Sequence, residues 1–178
     1  MEDFKNFDEI TKMDERHRLT GLITGAPISL KYIYKYLEQE KLHTNVPEEV
    51  KNQFNVLKNM ALYTYFSYSL APEVNFKTYT LIELSLRLKI KPDKRMMLRQ
   101  LLNHAVNQQL ISDKGFRHVK SPSKSNKWCK SLPKLLTGLR NPKAHGSTSL
   151  TGECLTNISI CVDFINQLFI EANSSNVD

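Results

Sequence analysis

Apolar residues fall at intervals of three and four along most of this chain, and that spacing sets its fold class. In "KRMMLRQLLNHAVNQQLI", Met97, Leu98, Leu101, Leu102 and Ala105 share one face of a helix. Leu30, Ile33, Tyr34 and Leu37 repeat the interval behind a Ser29 cap. Val50, Phe54, Leu57, Met60 and Ala61 repeat it behind Asn45, Pro47 and the acidic pair Glu48–Glu49, residues suited to a helix start. Leu155, Ile158, Val162, Ile165 and Phe169 mark a last long helix. One segment is ambiguous. In "YTLIELSLRLKI", Leu84, Leu86, Leu88 and Ile90 alternate with polar residues as in a strand. Its Leu and Glu content, and the i,i+4 pair of Glu83 with Arg87, favour a helix. With no internal repeat and no Gly-rich phosphate loop, the expected architecture is an all-α bundle of about five helices.

The aromatic run Tyr63 to Tyr68 reads as the buried end of its helix, with core packing favoured over a base-stacking platform. Residues 1 to about 25 show no clear periodicity and read as an irregular lead-in. The connection "FRHVKSPSKSNKW" reads as a mobile, basic linker. A chain of 178 residues is long enough to bury a core without staples. The three cysteines, Cys129, Cys154 and Cys161, have no CxxC spacing and no His/Cys cluster beside them, so buried thiols are expected. The polar start "MEDFKNFDEITKMDERHR" does not look like a signal peptide, and no apolar stretch is long enough to span a bilayer. A cytoplasmic protein without membrane contact is expected.

Net charge is +7, and its placement says more than its size. Lys114, Arg117, Lys120, Lys124, Lys127, Lys130, Lys134, Arg140 and Lys143 lie in a segment, 114 to 152, that holds no acid. The rest of the chain carries 16 basic against 18 acidic groups. A local field of one sign favours a polyanion, most often nucleic acid, over a merely solvated loop.

Inside that segment lies "LLTGLRNPKAHGSTSL". Pro142 disfavours α conformation at Asn141, so the helix bearing Leu135, Leu136 and Leu139 is expected to stop near Arg140. Asn141 then reads as an N-cap and Pro142 as the first residue of a new turn. His145, one turn on, would sit near the positive end of the peptide dipoles, where a neutral, base-competent ring is favoured. The spacing R-x4-H is weak by itself. Arg99 and His104 share it inside an ordinary helix, without the Asn-Pro pair or the basic surroundings.

The string "LRNPKAHG" between two helices resembles the RN-x3-H signature of the HEPN-domain superfamily of helical nucleotide-binding proteins. "TYTLIELSLRLKI" and "LRQLLNHAVNQQLIS" are similar to that family's preceding helices, so the likeness covers about residues 46 to 172. The resemblance implies a HEPN-like domain over 46–178 and a 1–45 extension carrying one helix. It implies a metal-independent endoribonuclease of toxin or antiviral-defence type, needing no cofactor, with Arg140, Asn141 and His145 at the motif positions. It also implies a homodimer with a shared cleft, RNA as substrate, and an antitoxin or regulatory partner. Glu83 is a candidate polar partner of Arg140. Lys114, Arg117, Lys120, Lys124, Lys127, Lys130, Lys134 and Lys143 are the candidate RNA contacts. A non-catalytic HEPN module that binds RNA or protein is the alternative. Ser147 stands where family members that use nucleotide transfer carry a tyrosine, which weakens that variant here.

Overall fold

The computed structural model describes residues 3–26, 28–145 and 154–170, with only the backbone described at Pro142 and Lys143. Among these residues there are seven α-helices and no strand. They are α1 (Glu15–Thr24), α2 (Leu30–Gln39), α3 (Glu48–Tyr63), α4 (Ala71–Ile90), α5 (Leu98–Asn107), α6 (Lys127–Ala144) and α7 (Cys154–Leu168). The all-α class is as expected, with seven helices where about five were expected.

The ambiguous segment belongs to α4, the central helix, which packs against α3, α5, α6 and α7. Burial on several sides explains its weak amphipathicity. Asn75, Thr78 and Ser85 are buried as fully as Leu81, Ile82 and Leu86. Their polar atoms are satisfied locally or across the bundle: Thr78 Oγ1 donates to Asn75 O, Ser85 Oγ to Leu81 O, and Asn157 Nδ2 to Asn75 Oδ1 at 2.8 Å. Leu98, Leu101, Leu102 and Ala105 of α5 enter the same core, whereas Met97 stands just before the helix and is exposed. Ile158, Val162 and Ile165 are buried on α7, with Leu155 and Phe169 packed at the margin. All three cysteines are free and buried. Cys129 is pushed up to about 12 by burial, reinforced by the neighbouring Asp113, so its thiol stays protonated.

The first 45 residues hold two helices, not one. Ile33 and Leu37 of α2, with Val46 beyond it, join the core of α3–α7. Helix α1 has no amphipathic pattern, and anchoring at its start holds it in place. The Asp14 carboxylate caps the helix through Arg16 N–H and also accepts from Tyr68 N–H at 2.8 Å. Asp14 N–H donates to Tyr65 O, and buried His17 donates from Nε2 to Thr64 O at 2.8 Å. Burial alone would raise the Asp14 carboxyl. The bonds from Arg16 and Tyr68 outweigh it and hold the group below the usual carboxylate range. The aromatic run therefore differs from expectation: α3 ends at Tyr63, which is exposed, and the turn after it packs against α1, with Tyr65 stacked on His17.

Two further corrections concern α6. It does not stop near Arg140 but runs from Lys127 through Asn141 and Pro142 to Ala144. Proline biases the residue before it without forbidding a helix, and Pro142 has no N–H to give to the ladder. The ladder carries on one turn later, where His145 N–H donates to Asn141 O at 3.1 Å. Asn141 is thus a helical residue and not an N-cap.

Candidate functional site

Helix α6 is about 27 Å long, and it carries the basic segment at its start and the RN-x3-H motif at its end. The two features found together in the sequence therefore lie at opposite ends of one rod.

At the amino end the linker is held in place. Buried Asp113 accepts from Cys129 N–H at 2.9 Å and from the Ser123 and Trp128 N–H groups at 3.3 Å. Its own N–H donates to Asn126 Oδ1. The carboxylate closes the 113–129 loop and caps the start of α6, where free N–H groups and the helix field both favour an anion. Burial opposes the charge, but the accepted N–H groups outweigh it and keep the Asp113 carboxyl below its ordinary value. The reading of this connection as mobile is corrected accordingly. Asp113 is not among the residues expected at the site. The available signal was its position as the last acid before the acid-free run.

Arg117 is also fixed. Its Nε donates to Asp163 Oδ1 and its Nη2 to Glu40 Oε2, each at 2.6 Å, while its N–H donates to Asp163 Oδ2. Glu40 accepts additionally from Ser159 Oγ. Both carboxylates are buried. The Glu40 bond first, and then Asp163, hold the guanidinium above its ordinary value against a partial burial that lowers it. Arg117 is therefore a clamp between α2, the loop and α7, already committed to two acids. Arg117→Met should cost about 2 kcal/mol in chemical denaturation, a figure discounted because the guanidinium is more than half exposed. The same variant should leave the salt dependence of RNA binding unchanged.

The other candidate contacts differ. Lys114, Lys120, Lys124, Lys127, Lys130 and Lys134 are exposed, with no ion-pair partner among the described residues. The Lys143 side chain lies outside the described residues, as do Gly146 and Ser147. His118 is exposed in the same loop, its ring edge-on to Trp128 at 4.6 Å and to Phe116 at 5.8 Å. Partial burial lowers the ring below the ordinary histidine value, and Asp163 offsets part of that.

At the carboxyl end, Arg140 lies on the side of α6 that faces α4. Its Nη2 is 4.0 Å from Glu83 Oε2, and the side chain is 33% exposed. Glu83 also binds Arg87 at 2.6 Å, so the i,i+4 pair and the cross-bundle pair both exist and share one carboxylate. Arg140 Nε is buried with no hydrogen-bond partner among the described residues. Asn141 and His145 are exposed. At 100° per residue, Arg140 and His145 lie about 140° apart around the helix axis, so in one chain they do not converge. His145 stands at the carboxyl end of a helix, not at the amino end where the sequence placed it. Beside this motif, Leu135 and Leu139 are 46% and 47% exposed and flank Gly138, whose surroundings are open.

No helix among the described residues is long and apolar enough to cross a membrane. No family model, curated protein or solved structure matches this chain.

Proposed function

We propose that this protein is a metal-independent endoribonuclease of HEPN type that works as a homodimer. The observation that carries the reading is the end of α6. It presents a one-third-exposed, acid-backed Arg140, an exposed Asn141 and an exposed His145.

Cutting RNA without a metal uses the ribose 2′-OH as nucleophile. It then requires a proton acceptor, a proton donor to the leaving 5′-oxygen, and positive charge on the pentacoordinate phosphate. His145 takes or relays the proton. Arg140, steadied from behind by Glu83, offers its planar fork to the phosphate oxygens. Asn141 adds a hydrogen bond from the same turn. The products are a 2′,3′-cyclic phosphate and a free 5′-OH. The divergence of Arg140 and His145 around α6 favours pairing, because a second copy can bring its own motif to the same phosphate. Leu135 and Leu139 supply an apolar face next to the motif for that contact. An antitoxin or other regulatory partner belongs to the same reading.

The test is a cleavage assay on mixed RNA in the presence of EDTA. Cutting that persists in EDTA and leaves cyclic phosphate ends supports the mechanism; loss with the chelator overturns it. Leu139→Glu should convert the dimer to monomer in sedimentation and reduce cutting at dilute protein. Unchanged mass and rate would remove this face from the assembly.

One observation favours a second reading, a non-catalytic RNA- or protein-binding module. An arginine paired to an acid across a bundle is also what a brace looks like. A well-folded chain that binds RNA but never cuts would establish it.

A further inference from the structure

Lys127, Lys130, Lys134, Gly138 and Asn141 fall within about 80° of arc on α6, diametrically opposite its buried residues Cys129, Leu132 and Leu136. All five are exposed, and no acid interrupts them. His145 is exposed one turn beyond Asn141. At the other end the stripe meets the loop closed by Asp113, where the exposed His118 ring is braced by Trp128. From Lys127 to Asn141 the stripe runs about 21 Å, the length of roughly six nucleotides at stacked spacing.

We propose that this stripe is the track of a single RNA strand, with one unpaired base stacked on His118 and the phosphates following the lysines toward His145. The proposal rests on the reading above that RNA is the ligand. A line of unpaired cations at intervals of about 4.5 and 6 Å suits a polymer with one charge per unit. An exposed aromatic ring in the loop that leads into that line, on the flank marked by Trp128, suits a base whose face is free, which a duplex does not offer.

Trp128 is the only tryptophan in the chain, so its fluorescence reports the proposed stacking step directly. The experiment uses His145→Ala protein, which takes cutting out of the readout, and titrates it with a short oligouridylate at several salt concentrations. Binding should quench Trp128. Replacing Lys127, Lys130 and Lys134 together by Gln should lower the slope of log affinity against log salt by about 2. Replacing the exposed Lys31, Lys35 and Lys94 instead should leave it unchanged. His118→Ala should weaken binding by about ten-fold with the slope unchanged, as expected for loss of one stacked base.

Equal slopes in the two triple variants overturn the track. Equal affinity and quenching with duplex RNA overturn the single-strand assignment. Displacement by polyglutamate at equal charge overturns RNA in favour of an acidic protein. Because nothing is cut in this assay, a chain that proves to be no nuclease can still pass it. A nuclease that uses another surface fails this test alone.

Discussion

Replacing His145 by alanine should lower RNA cleavage by about 10²- to 10⁴-fold, the range for removing a positioned proton-transfer group. The fold should not notice. The ring is exposed, and the hydrogen bond that ends α6 uses the His145 backbone N–H to Asn141 O, which alanine keeps. Thermal unfolding followed by circular dichroism should therefore superimpose for the two proteins, while the rate on end-labelled RNA collapses. Added imidazole should restore part of the lost rate if the ring acts as a proton carrier. An unchanged rate in the variant would remove His145 from the chemistry and favour the binding module. Arg140→Lys makes a useful contrast, since it keeps a cation near Glu83 but loses the planar fork. Its rate should fall while RNA affinity changes little, because the fork is used most on the transition state.

Asp113→Ala should destabilise the protein by about 3 kcal/mol, equivalent to roughly 6–12 °C in melting temperature for a chain of this size. The variant leaves buried N–H groups at the start of α6 without their acceptor and opens the loop that carries Lys114, Lys120 and Lys124. The same carboxylate gives the native protein an acid limb. Its folded value lies below its unfolded one, so its contribution is fully present above the unfolded value of about 3.9 and is lost as pH falls below it. Asp14, lowered in the same direction at the root of α1, adds to that limb. Urea titrations at pH 7 and pH 3 check this. Native stability should drop more between the two than that of Asp113→Ala; an equal drop would show that the Asp113 charge is not stabilised by the fold.

These expectations depend unequally on sequence and on structure. Periodicity identified α2, α3, α5 and α7 and placed Leu98, Leu101, Ile158 and Val162 in the core, because each signal lies within a few turns of one helix, whereas at α4 the alternation suited a strand and residue type decided. It failed at α1, whose support comes from the turn after α3 and leaves no amphipathic trace. It also misjudged α6, where a rule about the residue before proline met a helix already fixed by the packing of Cys129, Leu132 and Leu136.

The basic segment shows the division most clearly. In the sequence its eight candidate RNA contacts are equivalent cations. In the structure Arg117 is bound to Glu40, 77 residues away, and to Asp163, 46 residues away, while Lys127, Lys130 and Lys134 align on an exposed face. The placement of Arg140 against Glu83 and of His145 on the outside likewise depends on how α6 is rotated against α4. By itself the sequence determined that the chain is helical, where its charge is concentrated and which motif that charge surrounds, since these follow from residue type and local spacing. Only the tertiary structure decided which charges are free. A cation is neutralised by whatever acid the fold brings within a few ångströms, and no local pattern records that distance.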